Sequence, residues 1–160
     1  MILTGPPKQY LREVFLWLFV INLGIAFGAG IYEARVVIPH WADLPPRTWP
    51  NTGIMFWVYV TTIPLTLLTV VNLIGAWTDA SARRKWWFGA AALIVLERAV
   101  TFSYFIPAMI RMTSSELSDA AEVKASLSQW LFFNHGRHAL TFVGWLLALK
   151  ALTLHAEHTD

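Results

Sequence analysis

Residues 86–110 read WWFGAAALIVLERAVTFSYFIPAMI, a run in which Glu97 and Arg98 are the charged positions. A helix of roughly 20 apolar residues crosses a hydrocarbon core of about 30 Å. The stretch is long enough to span a bilayer, and it lacks the two-residue alternation of a half-buried strand. It therefore predicts a transmembrane helix that carries an acid and a base near its middle.

Three further apolar stretches of similar length lie elsewhere in the chain. Together they give predicted spans at about 14–35, 54–77, 86–110 and 130–154, with external loops at 36–53 and 111–129. Because the bilayer core offers no water to the backbone, continuous apolar runs cross it as helices. The 160 residues, of which 56% are hydrophobic and 14% charged, predict a single all-α domain, an integral membrane bundle of four transmembrane helices.

The distribution of lysine and arginine predicts the orientation of this bundle. Lys8 and Arg12 precede the first span, three basic residues fill the loop after the second span, and Lys150 ends the fourth. Cytoplasmic loops carry an excess of these residues. Both the N-terminus and the C-terminus are therefore predicted to be cytoplasmic, in a multi-pass protein of the cell membrane.

The two external loops are longer than the cytoplasmic one. The first contains four prolines, among them Pro39, which argue against a regular helix and predict a stiff cover over the bundle. The second begins with Thr113-Ser-Ser-Glu116, the pattern of a capping box, and predicts a short surface helix. Any elaborated surface is therefore predicted at the external end.

Composition also excludes several kinds of site. The chain has no cysteine, which excludes disulfides, iron–sulfur clusters, thiolate zinc sites and covalently attached c-type haem. Its formal net charge is +2, and the basic residues stand at the ends of apolar runs rather than in a stripe. Nucleic acid is therefore not an expected partner. The predicted partners are the lipid bilayer and a small hydrophobic ligand.

Ionisable residues within a span are expensive and usually face other helices or a cavity. Glu97 and Arg98 lie near the middle of the third span, and Glu97 shares a helical stripe with Thr101 and Tyr104. As sequence neighbours, Glu97 and Arg98 point about 100° apart, which predicts that they do not pair cleanly with each other. At least one of them should need a partner on another helix.

Other polar residues are predicted to meet this stripe. The first span ends externally near Glu33. The fourth span carries its polar groups in its first turns, as Trp130, Asn134, His135, Arg137 and His138. Three helices thus bring polar side chains to the outer half of the bundle, where one pocket could hold them. The alternative for the charged pair is a buried network that only fixes helix register.

Small and polar residues elsewhere predict close packing between helices. Gly24 and Gly28 form a small-xxx-small pattern, for which packing inside the bundle and a homo-oligomer contact both stay open. Asn22 and Asn72 are predicted to form hydrogen bonds between helices. Pro64 is predicted to kink the second span.

Three features occur together in this chain. It has four predicted spans, a glycine-rich first helix that ends near Glu33, and a fourth helix that opens Trp130-x-x-x-Asn134-x-x-Arg137. In this layout it resembles the small integral membrane proteins related to anthrone oxygenases. In that pattern a histidine often stands at the position of Asn134, whereas here His135 and His138 lie beside it. The resemblance implies oxygenation or oxidation of a flat, hydrophobic phenolic or quinone-like molecule without an organic cofactor.

Roles for individual residues follow from side-chain chemistry. The predicted catalytic base is His138 or Glu97. Arg137 and Asn134 are predicted to stabilise an oxyanion, and the phenol of Tyr104 is predicted to have a positioning role. The predicted substrate-binding residues are Glu33, Arg98, Thr101, His135 and Trp130.

Other functions stay open. Non-catalytic binding of a lipid or quinone is one alternative, and a role as accessory subunit of a membrane complex is another. Haem or metal binding through His135 and His138 is a lesser alternative, because a metal site needs more ligands than two imidazoles. No cofactor is predicted.

Overall fold

The computed structural model describes residues 7–41, 44, 48–49, 52–114 and 120–154. Within these ranges the chain is helical and contains no strand. The helices follow one another in four continuous runs, which we number α1 to α4: residues 7–41, 52–77, 84–113 and Ala120–Thr153. The prediction of an all-α chain is confirmed.

The first three runs each contain a short π-helical segment between two α-helical ones. In α1 the segments are Pro7–Tyr32, Glu33–Val37 and Ile38–Trp41. In α2 they are Thr52–Phe56, Trp57–Thr62 and Ile63–Trp77. In α3 they are Arg84–Val100, Thr101–Phe105 and Ile106–Thr113. The fourth run, α4, is one uninterrupted α-helix.

The four helices form an antiparallel ring. Helix α1 packs against α2 and α4, and α3 packs against the same two helices. Gly24 and Gly30 of α1 meet Trp145 and His138 of α4, which fixes opposite directions for these two helices. We call the end where α1 and α3 finish the distal end, and the end with the loop between α2 and α3 the proximal end. Each end has its own apolar core cluster, around Leu16 and Ile94 proximally and around Phe105 and Trp130 distally.

The surface of this ring is apolar. Large side chains such as Leu67, Ile74 and Phe132 are more than half exposed. Soluble monomers rarely expose apolar surface on this scale. Among the described residues, three helices are long and apolar enough to cross a membrane, Gln9–Trp41, Gly53–Trp77 and Arg84–Thr113. Helix α4 is not one of them, since charged and polar residues interrupt its apolar sequence.

The helices reach further distally than the sequence predicts. Helix α1 continues to Trp41 through Pro39, so the prediction of an irregular loop from residue 36 is wrong for residues 36–41. Proline is tolerated there because it occupies the first turn after the π-helical segment. Helix α4 begins at Ala120, so the predicted surface helix and the fourth span are one element. The remaining predictions for these loops, on Pro45, Pro46, Pro50 and Glu116, lie outside the described residues.

Each π-helical segment ends at an Ile-Pro pair, Ile38-Pro39, Ile63-Pro64 or Ile106-Pro107. In each pair the isoleucine N–H donates to the carbonyl five residues earlier, that of Glu33, Val58 or Thr101. A proline has no N–H, and its ring collides with the carbonyl four residues before it. A widened turn moves that carbonyl aside. At Pro64, where the sequence predicts a kink, the structure shows such a turn.

Asparagine side chains connect the helices through hydrogen bonds to backbone carbonyls. Pro64 cannot donate to the carbonyl of Val60, and Nδ2 of Asn22 on α1 donates to that oxygen at 2.8 Å. Nδ2 of Asn72 on α2 donates to the carbonyl of Phe15 on α1 at 3.1 Å. The predicted interhelical hydrogen bonds of both asparagines are therefore confirmed.

Replacement of Asn22 by leucine should lower the free energy of unfolding in detergent by about 1 kcal/mol, because the Val60 carbonyl loses its donor. In a Pro64→Ala background, residue 64 has a backbone N–H, and Asn22→Leu should cost clearly less. Thermal unfolding of the four proteins, followed by circular dichroism, measures this coupling. Equal losses in both backgrounds would contradict the compensation.

A buried arginine holds the proximal loop. Arg83 is 2% exposed, donates from Nε to Oδ2 of Asp79 at 2.9 Å, and also pairs with Glu13 of α1. Its guanidinium lies 5.0 Å from the ring centre of Trp87. Burial raises the pKa of Asp79, but hydrogen bonds from Ser81 and Arg83 outweigh it. The pKa of Asp79 therefore lies below its ordinary value of 3.8.

This pKa predicts an acid-sensitive contribution to stability. A carboxylate with a lowered pKa stabilises the fold above its unfolded pKa, and the contribution disappears as the pH falls through the folded value. Asp79→Asn should be less stable than the wild type at neutral pH by about 2 kcal/mol. The difference should shrink below about pH 4. Melting temperatures measured across this range test it, and a difference that does not vary with pH would be evidence against it.

Candidate functional site

The distal half of the bundle encloses a small polar cavity of about 30 Å³. All four helices contribute to its wall, through Ala26, Trp57, Thr61, Thr62, Glu97, Arg98, Thr101, Arg137, His138 and Thr141. The cavity thus brings five of the predicted site residues together. Its volume is that of about one water molecule.

Glu97 is the buried carboxylate of this cavity. It is 1% exposed, and its two oxygens accept from Nε and Nη2 of Arg98 at 2.5 and 2.7 Å. Thr101, one turn further on, donates to Oε1 at 3.0 Å. The prediction that Glu97 and Arg98 do not pair is therefore wrong. Their Cβ atoms diverge, but the flexible stem of an arginine lets its guanidinium fold back onto a neighbouring carboxylate.

Arg137 reaches the cavity from α4 without such a partner. Within the described ranges no carboxylate lies at ion-pair distance from it, although Glu97 and Glu33 interact with it electrostatically. Its guanidinium lies over two aromatic rings, 4.7 Å from the centre of Phe105 and 5.8 Å from that of Trp130. These contacts hold a positive charge beside the Glu97–Arg98 pair.

A pocket of about 430 Å³ adjoins the cavity between α1 and α2. Glu33 and Trp41 line it from α1, and Phe56 and Trp57 line it from α2. Trp57 lines the polar cavity as well, and its indole N–H interacts with the carboxylate of Glu33. Glu33 therefore lines the adjoining pocket and not the polar cavity, and Trp57 lies between the two.

An open, largely apolar groove of about 330 Å³ lies on the other side, between α1 and α4. We call it the α1/α4 groove, and it is lined by Phe27, Ile31, Ala34, Arg35, His135, His138, Ala139 and Phe142. The rings of Phe27 and Phe142 stack with their centres 5.0 Å apart. His138 lines both the groove and the polar cavity. His138 is therefore the residue that the groove and the cavity share.

Gly30 makes the position of His138 possible. A Cβ atom at residue 30 would lie 2.6 Å from Nε2 of His138, closer than such atoms can approach. This Nε2 is buried and has no hydrogen-bond partner among the residues that the structure describes. Buried polar atoms are normally satisfied by protein, water or a ligand. The nitrogen therefore faces the backbone of Gly30 and has no polar partner in the described part of the chain.

Gly30→Ala should lower the stability by about 1–3 kcal/mol, because the new methyl group collides with His138. Gly28→Ala is the matched control, since a Cβ there meets nothing within 4 Å. The control should be neutral or slightly stabilising.

In a His138→Ala background, Gly30→Ala should lower the stability less than it does in the wild type, because the ring with which the new methyl group collides is gone. Thermal unfolding in detergent compares all of these proteins. If Gly30→Ala and Gly28→Ala unfold at the same temperature, the contact does not constrain His138.

The other predicted site residues lie outside the cavity. His135 borders the α1/α4 groove. Asn134 is fully buried one turn away from His138, and its side-chain amide has no partner in the described part of the chain. Tyr104 packs edge-on against Phe105 with ring centres 5.1 Å apart. Trp130 is buried and donates from Nε1 to the carbonyl of Phe105 at 3.2 Å, so these two aromatic residues belong to the distal core.

The alternative of a metal-ion site gains no support from the geometry of the described residues, and the haem alternative stays a prediction. His135 and His138 line the same groove. Among the described residues, however, no group of three or more His, Asp or Glu side chains is placed to hold a metal ion.

The glycine pattern serves packing at one of its two positions. A Cβ at Gly24 would lie 3.3 Å from the ring of Trp145 on α4, so this glycine faces the inside of the bundle. Gly28 faces open space. The predicted homo-oligomer contact stays a prediction.

Several cavity residues were not singled out from the sequence. Thr61 and Thr62 stand together in an apolar span directly before Ile63-Pro64, and Thr141 lies one turn after Arg137. A polar pair next to a helix-perturbing proline is the signal that could have identified the first two. Trp57 carries no such signal, because a tryptophan near a helix end is also typical of a membrane interface.

No protein-family model matches this chain, and neither a curated protein nor a solved structure shows significant similarity to it. The resemblance to proteins related to anthrone oxygenases therefore stays a prediction from the sequence.

Proposed function

We propose that the chain crosses the membrane four times, with both termini in the cytoplasm and the distal end outside. The apolar outer surface and three membrane-capable helices support this placement. Helix α4 runs beside α1 and α3 and turns Arg137 and His138 toward the cavity, which explains its lower apolar content. The exposed cations Arg84, Lys85 and Lys150 lie at the proximal end, as expected for a cytoplasmic surface.

We further propose that the distal end binds a flat, hydrophobic aromatic or quinone-like molecule. The observation that supports this best is the position of His138, which lines both the apolar α1/α4 groove and the polar cavity. Small-molecule sites combine apolar walls with a few polar groups that fix orientation. A lipid-soluble ring would enter the groove from the bilayer, contact Phe27 and Phe142, and place a polar atom at the imidazole of His138.

The volumes of the groove and the cavity indicate which part of a ligand each can hold. The groove, at about 330 Å³, is within the range of ligand pockets, whereas the cavity, at about 30 Å³, has room for a water molecule. The ring system therefore belongs in the groove. The charges of Glu97, Arg98 and Arg137 act on its polar edge through His138 or through water.

Oxidation of the bound molecule is a second candidate, favoured by the imidazole of His138, which lines the same cavity as Arg98 and Arg137. In this proposal His138 takes a proton from a phenol or an activated C–H bond, and Arg137 stabilises the resulting oxyanion. Dioxygen would be the oxidant. Asn134 and Tyr104 do not line the cavity and have no role in this step.

The accessory-subunit alternative is less well supported. It expects the polar residues of α3 to face outward from the bundle, toward a partner. Glu97 and Thr101 instead face inward and are buried.

Isothermal titration of the protein in lipid nanodiscs with 2-methyl-1,4-naphthoquinone or anthrone tests the binding proposal, with empty nanodiscs as the blank. Phe142→Ala should weaken binding roughly tenfold, because it removes part of the groove wall. Phe132→Ala is the matched control, since Phe132 is 73% exposed and lines none of the described pockets. Binding that does not saturate, or equal losses in both variants, would refute the proposed site.

Oxygen uptake with anthrone separates the two candidate functions. Saturable binding without oxygen consumption would leave the binding proposal and reject oxidation. If oxygen is consumed, His138→Gln should reduce the rate by two or more orders of magnitude, since general-base catalysis contributes about 10²–10⁴.

A further inference from the structure

The proximal end carries another pocket, which the proposed function does not use. It has a volume of about 470 Å³ and lies where α2 ends and α3 begins. Its lining combines cationic, aromatic and small residues: Trp77, Ser81, Ala82, Arg84, Lys85 and Phe88. We call it the proximal pocket.

The two cations of this pocket are free of carboxylate partners. Arg84 and Lys85 are exposed, and neither forms an ion pair within the part of the chain that the structure describes. Their neighbour Arg83 differs, since it is buried and paired with Glu13 and Asp79. Glu13 and Asp79 therefore neutralise Arg83, and no carboxylate among the described residues neutralises the two cations of the pocket.

Ser81 belongs to the turn and not to the charged rim. Its backbone N–H donates to Oδ1 of Asp79 at 2.7 Å, and its side chain also interacts with that carboxylate. Arg84 and Lys85 therefore form the rim of the pocket. Two cations on one rim are typical ligands of a phosphate group.

The other half of the pocket is apolar. Trp77 is 65% exposed at the end of α2, and its ring centre lies 5.8 Å from that of Phe88 on α3. Phe88 stands one helical turn after Arg84, so it lies on the same face, deeper along the bundle. The pocket thus has a cationic rim at the level of the loop and an aromatic floor at the level of the helices.

We propose that the proximal pocket binds an anionic phospholipid, with the phosphate at Arg84 and Lys85 and an acyl chain along Trp77 and Phe88. The proposal rests on the membrane placement proposed above, and it is independent of the ligand in the α1/α4 groove. A free phosphate ion would use the rim alone and leave the aromatic floor exposed. The pairing of rim and floor favours a lipid.

Native mass spectrometry of the full chain in a neutral detergent tests this proposal. Phosphatidylglycerol and phosphatidylcholine with identical acyl chains are added in separate titrations. The wild type should retain phosphatidylglycerol in preference. Arg84→Gln/Lys85→Gln should weaken its binding roughly 25-fold, since each cation near an anionic lipid contributes about fivefold.

Arg111→Gln/Lys124→Gln is the matched control, because it removes two exposed cations from the distal end. The control should bind phosphatidylglycerol like the wild type. Equal retention of the two lipids, or the same loss in both double variants, would overturn the proposal. A melting temperature for each variant verifies that it is folded.

Two further measurements test the lipid against a free anion. Trp77→Ala should weaken phosphatidylglycerol binding, because the acyl chain loses its floor. Inorganic phosphate at matched concentration should fail to displace the lipid. Displacement by phosphate, or an unchanged affinity in Trp77→Ala, would show a simple anion site and overturn the proposed lipid.

Discussion

A carboxylate among apolar helices must obtain its partners from the protein, because its surroundings supply no water to hydrate it. Glu97 does so with the guanidinium of Arg98 and the hydroxyl of Thr101. Arg137 and His138 then approach from α4, and threonines of α2 complete the wall of the cavity. The burial of this one acid therefore explains why α2, α3 and α4 turn polar side chains inward at the same level.

Proline shapes the same half of the molecule through the backbone. Each of the three Ile-Pro pairs follows a widened turn, and each widened turn contributes a residue to the cavity or to a pocket beside it: Glu33, Trp57 or Thr101. A widened turn redirects nearby side chains, and such turns are frequent at functional sites. These prolines, which would interrupt a regular helix, here help to place the polar groups. Asn22 donates to the Val60 carbonyl, to which Pro64 cannot donate.

The hydrophobic pattern was sufficient to predict the helices, and helical spacing was sufficient to group Glu97 with Thr101. The pattern could not show that Arg98 folds back onto Glu97, since that depends on side-chain torsions rather than on where Cβ points. It also could not show that α1 continues past Pro39, because a hydropathy pattern does not reveal the widened turn that accommodates the proline. The enclosure of His138 depends on Gly30, a contact between helices more than 100 residues apart in sequence.

His138 lines both the α1/α4 groove and the polar cavity. A molecule in the groove that contacts this side chain therefore touches a residue that also borders the space beside Glu97 and Arg137. A proton gained or lost by the imidazole alters the electrostatic potential in both spaces at once. The apolar exterior and the charged interior are consequently electrically coupled, even though no open channel is needed to connect them.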